Sequence, residues 1–256
     1  MIRRPPRSTP KPSSAASDVY KRQRKVRGQP LRGIGIVADT DESSPGWIGT
    51  DEAGKGDYFG PLVVAGVYLD EKTAQEITHL GVRDSKRISD RRIVELAAEI
   101  RSRCPHSLVV IGPKGYNRLY GKIKNLNRLL AWGHARAIEN LLAEVDCRRA
   151  ISDRFGDERF IQRALLQRGR RIELEQRPRA EDDPAVAAAS ILARAEFIQR
   201  LEGLSRQVGV PLPKGATHVV KTGRQLVEKY GPKILSRVAK IHFKTTQKIL
   251  ADREGD

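Results

Sequence analysis

Apolar and polar positions along this chain alternate between a strand period and a helix period. Two apolar runs at 47–52 and 61–69 predict strands, and the glycine-rich turn between them predicts that they form a hairpin. Helical apolar spacing follows Ser89 through residue 103. The other predicted elements are strands at 108–111, 150–152 and 171–176, the last an edge strand, and helices at 127–143, 184–201, 221–230 and 232–250. The pattern predicts an α/β fold, a mixed sheet flanked by helices with a C-terminal helical extension.

The first 45 residues show neither period, and we expect a disordered basic tail followed by one domain at 46–256. Residues 1–33 carry ten Lys or Arg against one Asp. Residues 1–23 resemble a translated sequencing-adapter read, and we interpret them as an artefact. The alternatives are a nucleic-acid-binding arm and a transit peptide.

The formal net charge of +17 among 256 residues indicates a polyanionic partner, although about half of it comes from the tail. No apolar run approaches the roughly 18 residues that span a bilayer, so we expect no membrane partner. Cys104 and Cys147 are too few and too far apart for a disulfide framework or a four-ligand zinc site, which favours a cytoplasmic location. We expect a monomer, although nothing in the sequence determines the oligomeric state.

Carboxylates follow the predicted strands at the points where the strands end. Asp51 and Glu52 end the first strand, Asp153 ends a later one, and 181–183 is an acidic run before an alanine-rich helix. A single acid of this kind is usually a solvated or helix-capping group. Converging carboxylates without a matching His or Cys set suit two Mg²⁺ or Mn²⁺ ions, a pair that hydrolyses phosphodiesters.

Motifs over most of the chain resemble the type 2 ribonucleases H, and ribonuclease HIII more than ribonuclease HII. Ala53 is a departure, since Ser is common there in HIII enzymes. The resemblance implies a ribonuclease H-like sheet from about residue 46 onwards. The motifs are Asp51-Glu52 with Gly54-Lys55-Gly56, Asp84-Ser85-Lys86, Asn125 to His134, Ser152 to Phe155, Ala187 to Arg194, Leu212 to Ala216 and Val238 to Phe243.

The family resemblance implies an endonuclease that hydrolyses the RNA strand of an RNA/DNA hybrid and leaves 5′-phosphate and 3′-hydroxyl ends. It implies Asp51, Glu52 and Asp153 as catalytic metal ligands. Glu181 is our choice for the fourth catalytic acid, with Asp182 as the alternative. The preferred metal stays open.

Candidate substrate-binding residues lie in three segments. An A-like hybrid is recognised by its shape, phosphates and 2′-hydroxyls, which backbone amides of Gly54, Lys55 and Gly56 can contact. We expect Gly56 to require close backbone approach or a positive φ. Ser85 and Lys86 are candidates for a phosphate contact, although Lys86 has a second interpretation as a plain surface lysine.

Asn125 and Asn127 are further candidates for substrate contact, and Asn127 has a second interpretation as a helix N-cap. His134 and His242 are interpreted as packed or solvent-facing helix residues rather than catalysts.

Three alternative functions remain open from the sequence. The first is a ribonuclease HII-like enzyme that cuts at single ribonucleotides in DNA. The second is a non-catalytic nucleic-acid-binding module, and the third is another metal-dependent nuclease or phosphotransferase. Ribonuclease HIII proteins typically carry an N-terminal domain resembling the TATA-box-binding protein. The residues before Trp47 are too few for that domain, so we expect a truncated gene or a lineage without it, and weaker hybrid binding.

Overall fold

A five-stranded mixed sheet lies at the centre of the computed structural model, which describes residues 46–82, 88–157 and 159–251. The order of strands across the sheet is β3-β2-β1-β4-β5. The strands are β1 Trp47–Ala53, β2 Leu62–Leu69, β3 His106–Ile111, β4 Arg149–Asp153 and β5 Glu173–Arg177. The predicted hairpin and the predicted edge position of β5 are therefore confirmed.

Strand directions bring most of the carboxyl ends to one edge of the sheet. β2 is antiparallel to both β1 and β3, whereas β4 is parallel to both β1 and β5. The carboxyl ends of β1, β3, β4 and β5 consequently lie at the same edge. Asp51 and Asp153 are at that edge, because each is at or near the end of its strand.

Helices cover both faces of the sheet. The helices are α1 Glu71–His79, α2 Asp90–Arg103, α3 Pro113–Ile123, α4 Leu126–Leu141, α5 Arg159–Ala164, α6 Pro184–Val208, α7 Val220–Tyr230, α8 Leu235–Val238 and α9 Lys244–Leu250. Alternate residues of β2 point to opposite faces. Val63 packs in the cluster that contains α6, and Val64 packs in the cluster that contains α4. Burial on both faces explains why β2 is a continuous apolar run.

Helix α6 packs very closely on β1. A Cβ on Gly49 would lie 2.2 Å from the backbone carbon of Ala185, so only glycine permits this contact. Asp183 caps α6 by accepting from the amides of Ala185 (2.9 Å) and Val186 (3.2 Å). Trp47 Nε1 also donates to the Asp183 carboxylate at 3.0 Å. The α6 N-terminus is thereby joined to the start of β1.

The structure corrects two predicted helix positions. The N-cap of α4 is Asn125, whose Oδ1 accepts from the amide of Arg128 at 3.0 Å, and not Asn127. The region 232–250, predicted as one helix, is instead a 3₁₀ turn at Pro232–Ile234 followed by α8 and α9. Residues 239–243 separate α8 from α9. The interruption follows from tertiary contacts, because Ala239 is extended and forms an isolated bridge with Phe59. Three helices, α1, α3 and α5, were not predicted from the sequence.

Candidate active site

Acidic side chains from three elements line one cavity of about 580 Å³ at the carboxyl edge of the sheet. Asp51 and Glu52 come from β1, Asp153 from the end of β4, and Glu181 from the 3₁₀ turn before α6. Asp182, the alternative fourth acid, is not among the residues that line this cavity. The placement therefore favours Glu181 over Asp182.

Burial and mutual repulsion shape the ionisation of the β1 acids. Desolvation and the neighbouring Glu52 carboxylate raise the pKa of Asp51 to about 7, although a hydrogen bond with Ser190 opposes the shift. Burial also acts against ionisation of Glu52, but hydrogen bonds from His134 and Lys55 outweigh it and lower the pKa of that carboxyl. The pair thus concentrates negative charge in a poorly solvated place.

His134 holds Glu52 from the interior of the protein. Its ring is wholly buried, Nε2 lies 3.2 Å from Glu52 Oε2, and Nδ1 lies 2.9 Å from Thr50 Oγ1. Glu52 accepts from Nε2–H when the Thr50 hydroxyl donates to Nδ1, so Thr50 favours the required tautomer. The earlier interpretation of His134 as a packed helix residue holds for its burial but misses this polar contact. In the sequence, only its place within the 125–134 motif indicated that His134 has a functional role.

The donor set suits a hard divalent cation. Among residues 46–82, 88–157 and 159–251, no three His, Cys, Asp or Glu side chains converge as a preformed coordination cluster. The cavity acids nevertheless supply only carboxylate oxygens, the ligands that Mg²⁺ and Mn²⁺ prefer. The raised pKa of Asp51 has its cause partly in the charges of Glu52 and Asp153. A bound cation would offset that repulsion.

The glycine turn lines the same cavity through Gly54, Lys55 and Gly56. Gly54 has φ +86°, and a Cβ there would lie 2.2 Å from the carbonyl oxygen of Pro61. A Cβ on Gly56 would meet nothing within 4 Å, and φ of Gly56 is not positive. The expected positive φ at Gly56 is therefore wrong, and the protein's own packing requires glycine at Gly54 instead. Close approach of Gly56 to a substrate stays a prediction.

Lys55 lies beside a carboxylate. Its Nζ is 3.3 Å from Glu52 Oε1, and 41% of its side chain remains exposed. Part of its charge therefore balances Glu52.

The chain after the glycine turn is held by Lys240, which the sequence indicated only as part of the Val238 to Phe243 motif, with no role assigned. Lys240 is wholly buried, and its Nζ donates to the carbonyl oxygens of Asp57 (2.8 Å) and Gly60 (3.0 Å). Nζ also lies 5.6 Å from the centre of the Tyr116 ring. Burial lowers the pKa of Lys240 to about 7, although Asp57 opposes the shift. Lys240 thereby fixes the backbone next to the cavity.

Asn125 and Asn127, the other described candidates for substrate contact, lie outside the cavity lining. Asn125 caps α4, and the Asn127 side chain packs beside Gly156. Ser85 and Lys86, with Asp84, lie outside the described residues.

Arg194 and Lys214 are cavity residues that were not proposed individually. Arg194 Nη2 lies 3.0 Å from Asp90 Oδ1, and Lys214 Nζ contacts Asp90 Oδ2. Both belonged to segments that carried the family resemblance, but the pairing with Asp90 joins positions far apart in sequence.

Comparison with known proteins agrees with this arrangement. The family model described as Ribonuclease HII matches residues 48–246, and the chain belongs to this family of ribonucleases H. Two similar curated proteins are named ribonuclease HIII. Ribonuclease HIII of Protochlamydia amoebophila (strain UWE25) is 48% identical over 204 residues, which cover 79% of this chain and 68% of the relative. Ribonuclease HIII of Chlamydia pneumoniae is 43% identical over 210 residues, which cover 80% and 70%.

Solved structures show the same relationship. The crystal structure of Bst-RNase HIII in complex with Mn²⁺ has a TM-score of 0.77 and 36% identity, covering 84% of this chain and 72% of that one. RNase H3 of Aquifex aeolicus has a TM-score of 0.64 and 31% identity, covering 77% and 71%. This chain is thus a ribonuclease H, a hydrolase with the mixed sheet and helical C-terminal part expected from the sequence. No helix in the described part of the chain is long and apolar enough to cross a membrane.

Proposed function

We propose that this chain hydrolyses the RNA strand of RNA/DNA hybrids at the cavity lined by Asp51, Glu52, Asp153 and Glu181, leaving 5′-phosphate and 3′-hydroxyl ends. The observation that carries the proposal is the meeting of carboxylates from β1, β4 and the 181 turn beside the Gly54–Gly56 backbone. Family membership supports the reaction class. A monomeric state and a cytoplasmic location stay predictions.

Asp51, Glu52 and Asp153 are the proposed ligands of two divalent ions, Mg²⁺ or Mn²⁺. When bound, such ions activate water and stabilise the leaving oxygen in phosphodiester hydrolysis. The Mn²⁺ in the Bst-RNase HIII structure supports dependence on a divalent ion. Glu181 is the proposed fourth acid at the same cavity.

The chain's own residues prepare the site in two ways. His134 and Lys55 keep Glu52 ionised and oriented through contacts of 3.2 and 3.3 Å. Gly54 lets the turn pack directly against the Pro61 carbonyl, which a side chain at that position would prevent, and so fixes the backbone that lines the cavity. We propose that amides of Gly54, Lys55 and Gly56 recognise the ribose and phosphate beside the cleaved bond.

A cleavage assay tests the proposal with labelled RNA/DNA hybrid, duplex DNA and duplex RNA, each with Mg²⁺, Mn²⁺ or a chelator. We expect metal-dependent cleavage of the RNA strand of the hybrid only. Cleavage of duplex DNA would indicate a different nuclease, and binding without cleavage would indicate a non-catalytic module.

A duplex DNA with one embedded ribonucleotide separates the HIII-like from the HII-like activity. The HIII name of the relatives supports a preference for several consecutive ribonucleotides. Efficient incision at the single ribonucleotide would favour the HII-like alternative.

A further inference from the structure

A basic surface without carboxylates covers α3 and the C-terminal segment 231–250. Neither 113–124 nor 231–250 contains an Asp or Glu. Lys114, Arg118 and Lys122 follow one another at intervals of four residues, so they form a stripe along one face of α3. All three are exposed, and none forms an ion pair with another described residue.

Direct contacts make α3 and the C-terminal segment one continuous surface. Asn117 Nδ2 donates to the carbonyl oxygen of Ala239 at 2.9 Å, and Asn117 Oδ1 accepts from the amide of Ile241 at 3.0 Å. Lys114 and Arg237 line one shallow cavity of about 380 Å³. The exposed cations of the C-terminal segment therefore extend the stripe; they are Lys233, Arg237, Lys244 and Lys248.

On helix α2, by contrast, exposed arginines form ion pairs with glutamates of the same helix. Arg91 and Arg92 both contact Glu95, and Arg103 contacts Glu99 at 2.8 Å. Those charges are balanced within the helix. Like charges four residues apart repel one another and destabilise a helix slightly, so the α3 stripe opposes folding. An anionic partner that lies on the stripe removes this repulsion.

The surface lies at the active-site edge of the sheet. Helix α3 begins directly after β3, whose carboxyl end shares that edge with Asp51 and Asp153. The same C-terminal segment reaches the glycine turn through Lys240 and the Asp57 carbonyl. Three cations over eight residues span about 12 Å of helix axis, which matches the axial rise of three to four nucleotides of one strand.

We propose that the surface formed by α3 and residues 231–250 binds the phosphate backbone of nucleic acid beyond the cleavage site. The inference rests on the proposed function in naming the nucleic acid as the hybrid substrate. Phosphates accept from exposed Lys and Arg without regard to base sequence, so the contact adds affinity and register but no sequence preference.

Two matched triple variants test the surface. The first carries Lys114→Gln, Arg118→Gln and Lys122→Gln, changes that keep good helix propensity. The control carries Arg168→Gln, Arg170→Gln and Arg171→Gln, which removes the same charge from exposed positions before the amino end of β5, at the opposite edge of the sheet. Thermal unfolding confirms that both variants fold. Hybrid binding is then measured against salt, with chelator present, for duplexes of about 6 and about 20 base pairs.

We expect the α3 variant to lose at least about tenfold in affinity for the long hybrid, with a slope of log K against log salt shallower by about 2–3. The loss for the short hybrid should be much smaller, because the short duplex does not reach the stripe. The control variant should match the wild type on both duplexes.

An equal loss in both variants, an equal loss on both duplexes, or an unchanged slope would overturn the inference. Cleavage by the wild type is scored separately. If the wild type does not cut hybrid but the α3 variant still shows the length-dependent loss, the surface stands and the proposed reaction falls.

Discussion

A buried ionisable group lies at each end of the segment 51–60: the Asp51–Glu52 pair at its start, and Lys240, which contacts the carbonyls of Asp57 and Gly60 near its end. The two groups are stabilised in different ways. At one end, Asp51 and Glu52 lie side by side, so each carboxylate disfavours ionisation of the other. At the other end, Lys240 is satisfied inside the protein by two carbonyl oxygens and the Tyr116 ring. The lysine end is complete without a ligand, whereas the carboxylate end keeps unbalanced charge that a cation from solution can offset. Four experiments test this contrast.

The largest effect is expected at the carboxylate end. Asp51→Asn and Asp153→Asn should each reduce hybrid cleavage to below about one per cent, because each removes a proposed metal ligand. Asp51→Asn should leave the metal-free protein as stable as the wild type or more so, since it removes one of two repelling charges. Asp182→Asn is the matched control and should retain activity. Activity well above one per cent in either ligand variant would contradict the assignment.

Substitution of the glycine that joins the two ends should have the next largest effect. Gly54→Ala places a Cβ against the Pro61 carbonyl at a positive φ, and should cost about 1–3 kcal/mol of stability. Displacement of the turn should also reduce the cleavage rate by about tenfold or more. Gly56→Ala, where no protein atom lies within 4 Å of the added Cβ, should lose far less stability. Denaturant unfolding and steady-state kinetics measure both quantities, and equal losses of stability in the two variants would contradict the structural contrast.

His134 should influence rate rather than substrate affinity. His134→Ala leaves Glu52 without its interior donor, and we expect kcat to fall about 10- to 100-fold with little change in KM. His134→Gln can donate to Glu52 through its amide, so it should recover part of the loss. A purely structural role predicts instead that Gln and Ala lose activity in proportion to their loss of stability.

The pH dependence of metal-free stability should distinguish the two ends by sign. The folded pKa of Asp51, about 7, lies above the unfolded value of 3.8. The stability that protonated Asp51 contributes is therefore fully present below about pH 4 and is lost as pH rises through 7. The folded pKa of Lys240, about 7, lies below the unfolded value of 10.5, so stability increases between about pH 7 and 10.5. Each effect should be on the order of 4 kcal/mol, because one pKa unit corresponds to about 1.4 kcal/mol.

Two variants show which residue causes the change in stability in each pH range. Asp51→Asn should remove only the change in stability between about pH 4 and 7, the acidic window. Lys240→Met should remove only the change between about pH 7 and 10.5, the alkaline window. Denaturant unfolding across the pH range with chelator measures both. If Lys240→Met altered the acidic window instead, Lys240 would not be the group responsible for the alkaline slope.

Local patterns predicted much of the fold. The β1–β2 hairpin, α2 after its Ser89 cap and the edge strand β5 all follow from apolar spacing and turn residues. These elements are recognisable because their periodicity and caps lie within a few neighbouring residues. The helix expected at 232–250 failed for the opposite reason, since Phe59 pairs with Ala239 across a long stretch of sequence.

The sequence by itself determined the chemical character of this protein: the adjacent acids Asp51 and Glu52, the glycine turn, the later Asp153 and the family motifs. Those features are local, and they need only residue type and order to be recognised. Only the tertiary structure decided that Glu181 rather than Asp182 lines the cavity, that His134 supports Glu52, and that Lys240 fixes the turn. Each of these depends on contacts between residues distant in sequence, and their geometry is set by how helices pack on the sheet.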